Sequence, residues 1–290
     1  MLLGKHVGKT SCLDDFKAKT LSKAIEFNMD VFNLNCAMVF THGPRGYAAS
    51  KIDYKKVEEL SKNINIYSHS SYPTVGIWNV NEENLSDAKS VSVLNHIQDQ
   101  IDAIKKCGGL GLVVHISRQP VDVVAAVVNI IKPMFVESGI TLLLEMIASK
   151  AHPELTYETP EKINRLVNKI GVHDWYGICV DTAHLYSSGF DCTTSASMQE
   201  WLDAVEHKNM IKMFHVNGSQ ASFARGKDQH AVPMASDDNI WGKVKDITRT
   251  GLLPLVKFSL QHEVPMILEI NDGTAEETHE VLNNMRVIHN

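Results

Sequence analysis

No C-x-x-C pair occurs in this chain, and its five cysteines, Cys12, Cys36, Cys107, Cys179 and Cys192, lie scattered. That spacing supports neither a disulfide framework nor a thiolate zinc site. Cys36 and Cys179 sit in apolar runs and read as small core residues. Neither G-x-G-x-x-G nor G-x-x-x-x-G-K-[ST] follows any apolar run, which counts against nucleotide folds. Long hydrophobic runs are also missing. The best, Val123 to Val136, is broken by Asn129, Lys132 and Pro133 and is too short to span a bilayer. In the opening MLLGKHVGKT, Lys5 and His6 come too early for the apolar core of a secretory leader, so an intracellular protein without a membrane partner is expected. An excess of positive charge is lacking as well: 28 Lys and Arg face 34 Asp and Glu, for a formal charge of −6. Taken alone, that balance argues against a polyanionic partner, whose affinity comes largely from displaced counterions.

What is present is an alternation. Short β-branched runs at Leu2 to Val7, Val31 to Phe40, Ile64 to His69, Leu110 to Ile116, Thr141 to Ile147, Tyr176 to Asp181, Met210 to Val216 and Pro265 to Ile270 read as strands. Between them, Asp14 to Phe27, Asn84 to Lys106, Val121 to Glu137, Pro160 to Lys169 and Ser195 to His207 carry an apolar stripe and a polar face, as helices do. Pro133 should kink or end its helix, whereas Pro160 suits a first turn. Eight strand and helix units in 290 residues predict an α/β fold, a single (β/α)8 TIM barrel domain spanning residues 1–290. The stretch from Gly218 to about Asp238 has no clear period, and loops of that length usually carry function.

In such a barrel the chemistry sits where the strands end. The third run closes on His69, the fourth on His115, the fifth carries Glu145, and the sixth gives Asp181 and His184. The seventh gives His215 and the eighth Glu269, while Asp228 and His230 stand in the aperiodic stretch. One histidine at a strand end is usually a hydrogen-bonded rim residue. Glu145 and Glu269 differ, because in LLLEMI and MILEI an unpaired carboxylate would be expensive and each needs a cation nearby. Imidazole and carboxylate converging on one mouth is a ligand mix that suits zinc. The nine side chains would suffice for two or three ions sharing a bridging carboxylate, a device known from phosphoryl displacement. Three Zn²⁺ would bring the formal −6 to about zero, so the acidic count is partly an artefact of omitting metal.

The chain resembles the endonuclease IV family, the zinc-dependent apurinic/apyrimidinic endonucleases, over nearly its whole length. The segments that carry the likeness are GKHVG at Gly4 to Gly8, YSHSSY at Tyr67 to Tyr72, LVVHIS at Leu112 to Ser117, LLLEM at Leu142 to Met146, CVDTAHLYSSGFD at Cys179 to Asp191, MFHVN at Met213 to Asn217, KDQH at Lys227 to His230 and PMILEIND at Pro265 to Asp272. The resemblance implies three zinc ions per chain, with manganese an alternative occupant of some sites. His69, His115 and Glu145 would surround the first, and Glu145 would bridge to a second held by Asp181, His215 and Glu269. His184, Asp228 and His230 would hold the third. It also implies Glu145 and Glu269 as catalytic carboxylates, Arg45, Tyr72 and Asn217 as DNA contacts, and a monomer acting on damaged double-stranded DNA. The expected reaction is hydrolysis of the phosphodiester 5′ of an abasic site, leaving a 3′ hydroxyl, with trimming of blocked 3′ ends as a further activity.

Departures from the family pattern fall outside the ligand set. Gly218 stands where an acidic residue is usual after H-x-N, Gln229 replaces an arginine inside D-x-H, Pro73 follows Tyr72 in place of leucine, and Ser236 to Asp238 replace a Gly-rich turn. These changes bear on DNA affinity more than on chemistry. The competing reading is a metal-dependent sugar isomerase or epimerase of the xylose isomerase type, which shares such a barrel but needs fewer ligands.

Overall fold

The apolar runs pair as parallel strands because each can bury both faces, one toward the barrel axis and one toward a helix. The computed structural model describes residues 1–7, 19–42, 51–149, 155–270 and 275–289. In chain order the strands are β1 (Leu3–Val7), β2 (Cys36–Val39), β3 (Asn65–His69), β4 (Gly111–Ile116), β5 (Thr141–Met146), β6 (Tyr176–Asp181) and β7 (Ile211–His215), followed by β8 (Gly218–Ser219), β9 (His230–Ala231) and β10 (Met266–Leu268). β1 to β7 and β10 close a barrel in the order β1-β10-β7-β6-β5-β4-β3-β2, the predicted (β/α)8 fold. β8 and β9 form a separate antiparallel pair inside the stretch that has no clear period in the sequence.

Helices cover the outside: α1 (Leu21–Phe32), α2 (Tyr54–Leu60), α3 (Ala88–Lys106), α4 (Val121–Ser138), α5 (Pro160–Ile170), α6 (Thr182–Ser188), α7 (Ser195–Ala204), α8 (Leu252–His262) and α9 (Ala275–His289). The expected helix start at Asp14 lies outside the described residues, and among the described ones two departures from expectation have a clear local cause. Val31 and Phe32 end α1 instead of opening β2, because Asn33 takes a left-handed conformation (φ 50°) that closes the helix, and the strand starts only at Cys36. Pro133 does not end α4, which runs on to Ser138; buried Val128, Ile131 and Phe135 on either side of it hold the helix by packing. Pro160 occupies the first turn of α5 as predicted. Among the described residues no helix is long and apolar enough to cross a membrane.

Strand alternation decides what the barrel contains. Side chains two residues apart share a face, so each strand contributes a column of inward residues. Cys36, Met38, Tyr67, Val113, Leu143, Cys179, Met213 and Ile267 form one cluster, the apolar plug of the barrel. Two residues onward from Tyr67, Val113, Leu143, Cys179, Met213 and Ile267 come His69, His115, Glu145, Asp181, His215 and Glu269. The polar layer at the mouth is thus the next storey of the same columns, with an apolar floor beneath it. Gly4 belongs to this floor: a Cβ there would lie 2.5 Å from Ile267 Cδ1 and 2.7 Å from Cys36 Cβ. Gly4→Ala is therefore expected to destabilise the fold by about 1–3 kcal/mol through overpacking. Urea unfolding checks this, and an unchanged midpoint would contradict the tight floor.

Candidate metal centre

Three groups of imidazole and carboxylate ligand atoms stand at the mouth, the atoms of each within 4.8 Å of one another: His69, His115 and Glu145; Glu145, Asp181, His215 and Glu269; and Asp181, His184 and His230. Glu145 joins the first two groups. Its Oε2 lies 3.1 Å from both His69 Nε2 and His115 Nε2, while Oε1 lies 3.1 Å from His215 Nδ1. His215 Nδ1 is also 3.0 Å from Glu269 Oε2 and 3.9 Å from Asp181 Oδ2. Asp228 faces the third group, with Oδ1 at 2.9 Å from His230 Nε2 and 3.4 Å from His184 Nε2. All nine residues predicted as ligands come together, and Asp181 stands between the second and third groups.

Local bonding aims these side chains. His69 Nδ1 is 2.9 Å from Ser70 O, His184 Nδ1 2.7 Å from Met146 O, and His230 Nδ1 3.1 Å from Glu269 O. Donation from Nδ1–H to a carbonyl leaves Nε2 as the ligating nitrogen directed into the cluster. Asp181 caps α6 by accepting from His184 N–H at 2.8 Å, which ties one ligand to the next. The Nε2 atoms of His184 and His230 are buried and make no well-directed hydrogen bond, although Asp228 Oδ1 is close to both. Buried nitrogens aimed at shared carboxylates, with their other ring nitrogens already committed, are a donor set that fits divalent metal.

Electrostatics say the same. Glu145 and Asp181 have no exposed surface and Glu269 has 6%. Burial works against the charged forms of the two glutamates, yet the imidazoles of His115 and His215 hold Glu145 well below the usual carboxylate range, and His215 and His6 do so for Glu269. Burial likewise disfavours charged imidazole, but nearby anionic groups win: the Cys179 sulfur, Glu269 and Glu145 push His215 well above the ordinary histidine range, and carboxylates push His184 well above it and His230 up to about 9. Each anion here depends on a cation.

His6, which is not among the residues singled out in the sequence, belongs to the mouth. Its Nε2 is 3.1 Å from Glu269 Oε1 and its ring centroid 4.5 Å from that of Phe40. Its position carries a signal, since it stands two residues beyond Gly4 on the inward face of β1. Asn217, expected to contact DNA, is fully buried here, donating Nδ2–H to Asp181 Oδ2 at 2.6 Å and accepting from Glu269 N–H at 2.8 Å. It orients the Asp181 carboxylate and holds the backbone of Glu269. Tyr72 is 87% exposed on the rim of a cavity of about 340 Å³ that His69, His115 and Asp228 also line. Arg45 lies outside the described residues.

Two departures noted in the sequence prove to be one accommodation. A Cβ on Gly218 would sit 2.5 Å from Asp238 Cγ, so a larger residue there would displace Asp238. The Asp238 carboxylate accepts from the backbone N–H groups of Ser219, Met234, Ile240 and Trp241 at 2.8–3.2 Å, tying the loop after β9 to β8. Pro73 fits the first turn of the 3₁₀ segment Tyr72–Asn79, where no N–H is needed.

Residues 22–248 match the family described as xylose isomerase-like TIM barrel. A protein of African swine fever virus named "Probable AP endonuclease" is 28% identical over 280 residues, covering 92% of this chain and 88% of its own. Endonuclease IV from Thermus thermophilus superposes with a TM-score of 0.70 at 18% identity, covering 100% of this chain and 99% of its own. A D-tagatose 3-epimerase-like protein gives 0.67 at 15%, with 100% and 98% covered. At such identities the two structures speak to fold alone.

The raised imidazoles set the sign of a coupling between metal and protons. The surrounding charges raise the proton affinity of His184, His215 and His230, so a cation takes their nitrogens in competition with protons. Metal uptake by chelator-treated protein at pH 7 is expected to acidify a weakly buffered solution. The His230 group should also empty first under mild acid and chelator, because the Asp228 side chain is 56% exposed. A pH-indicator titration with metal analysis checks both, and uptake without proton release would count against these ligands.

Proposed function

The chain belongs to the xylose isomerase-like TIM barrel family, and on that premise we propose that it is a metal-dependent DNA-repair endonuclease that cuts at abasic sites. The observation that carries the reading is the shared carboxylate of Glu145, which spans two groups of ligand atoms in a mouth with a third group beside it. The likeness to the viral AP endonuclease, which runs along 92% of the chain, supports the same choice over a sugar epimerase on a similar barrel. The ligand set in this proposal is His69, His115, Glu145, Asp181, His184, His215, Asp228, His230 and Glu269, holding three Zn²⁺, with Mn²⁺ an alternative in some of the positions. The substrate is damaged double-stranded DNA, cut 5′ of the lesion to leave a 3′ hydroxyl, and blocked 3′ ends are trimmed at the same mouth.

Bound cations would supply Lewis-acid activation of water and neutralise charge on the phosphodiester. The protein's own part is placement. Glu145 and Glu269, buried above the apolar floor, fix negative charge where both histidine sets converge. Asn217 keeps Asp181 and the Glu269 backbone in register. His6 braces the other oxygen of Glu269, which limits its rotation. Phe40 and Val114 make part of the cavity wall apolar, so fewer waters compete with the phosphodiester. Tyr72 at the rim, and Arg45 by the family resemblance, would meet the DNA at the lesion.

Glu269→Gln is expected to reduce nicking of an abasic duplex at least about a hundredfold, the effect of losing some 3 kcal/mol of transition-state stabilisation. Its circular dichroism should match the parent. The gel assay is run with and without chelator, alongside a ketose turnover assay. Nicking by Glu269→Gln near the parent rate would remove that carboxylate from the mechanism. Ketose epimerisation without nicking by the parent would replace the endonuclease reading.

A further inference from the structure

We propose that His96 and Gln100 on α3 are positioning residues that hold Tyr72 as a fixed probe at the rim of the mouth, an inference that rests on the endonuclease reading above. His96 and Gln100 are one turn apart and share a face of α3. Gln100 reaches the chain on either side of Tyr72, and His96 reaches Ser71 before it. Ser71 N–H donates to Gln100 Oε1 at 2.8 Å, and Gln100 Nε2 donates to Thr74 Oγ1 at 2.9 Å and to His96 O at 3.1 Å. Ser71 Oγ and His96 Nε2 lie 2.6 Å apart. Trp78 Nε1–H donates to His115 O at 2.7 Å and secures the far end of the segment to β4.

Gln100 and Thr74 have no exposed surface, and Ser71 has 5%. A glutamine amide at full burial is expensive unless its donors and acceptor are used, and here both ends are. Tyr72 is the opposite case. It is the most exposed large apolar side chain among the described residues, although Ser71 and Thr74 beside it are buried. A ring thrust into solvent from a clamped backbone loses little freedom when it inserts against a base stack, so the clamp lowers the entropic cost of binding. Pro73 adds to this by fixing its own φ directly after the ring. The bracket thus serves the unpacked side chain that it surrounds.

The test is a double-mutant cycle in the metal-loaded full chain with an abasic duplex carrying 2-aminopurine beside the lesion. Insertion of Tyr72 unstacks the probe and raises its fluorescence before cleavage. Gln100→Met should keep the parent's metal content, raise KM roughly tenfold, the size of one lost base–aromatic stack, and abolish the fluorescence rise. Ser71→Ala, which removes only the His96 contact, should shift KM in the same direction by less. In a Tyr72→Ala background, Gln100→Met should change KM no further. The proposal is overturned if Gln100→Met leaves KM and fluorescence as in the parent, if its effect persists in full without Tyr72, or if it loses metal. Should Gln100→Met not fold, an unchanged fluorescence rise in Ser71→Ala overturns it instead. A parent protein that does not nick abasic DNA defeats the endonuclease reading, whereas nicking with Tyr72→Ala indistinguishable from the parent defeats only this inference.

Discussion

The buried carboxylate of Glu145 is the constraint on which the mouth of this barrel depends. It has no contact with solvent, and its two oxygens point to different histidines, His69 and His115 on one side and His215 on the other. An anion so placed is tolerable only if cations surround it, and the chain answers with imidazoles whose protons are held by the carboxylates in turn. Such a cluster is self-consistent only as a whole. Removing any one member leaves a buried charge unpaired, which is the condition a divalent cation relieves.

The barrel makes that arrangement possible by stacking. Six inward columns run from an apolar residue in the floor to a polar one in the mouth, so that Leu143 lies beneath Glu145 and Met213 beneath His215. The floor keeps water from below and lowers the local dielectric, which strengthens every charge pair above it. The polar residues around the mouth are supported laterally. Asn217 bridges Asp181 to the backbone of Glu269, and Asp181 caps the helix that carries His184. Ligand geometry is therefore set by three neighbouring strands at once and does not rest on a single loop.

The exception is the group that includes Asp228 and His230, which stand at and before β9 in the least regular part of the chain. There the carboxylate of Asp238 takes the place of regular pairing, drawing four backbone N–H groups to one point beside Gly218. A glycine at 218 and an aspartate at 238 look like unrelated departures along the chain. In space they are one contact, since the first makes room for the second.

Much of this was legible in the residues themselves. Strand runs follow from patterns local to a few residues, and the places of His69, His115, Glu145, Asp181, His215 and Glu269 at the ends of those runs put them at one barrel mouth before any coordinates are known. The embedding of Glu145 and Glu269 in apolar runs required cations by the physics of charge burial alone. Local pattern also misled: Val31 and Phe32 suit a strand as well as a helix, and only the left-handed turn at Asn33 assigns them to α1. What the tertiary structure decided is partnership. That Asn217 bonds Asp181, that His6 braces Glu269, and that His96 and Gln100 grip the chain around Tyr72 are contacts between residues 25 to 263 apart, as they stand in the sequence. A side chain's type fixes which bonds it can make, but only closure of the barrel brings a given donor to a given acceptor.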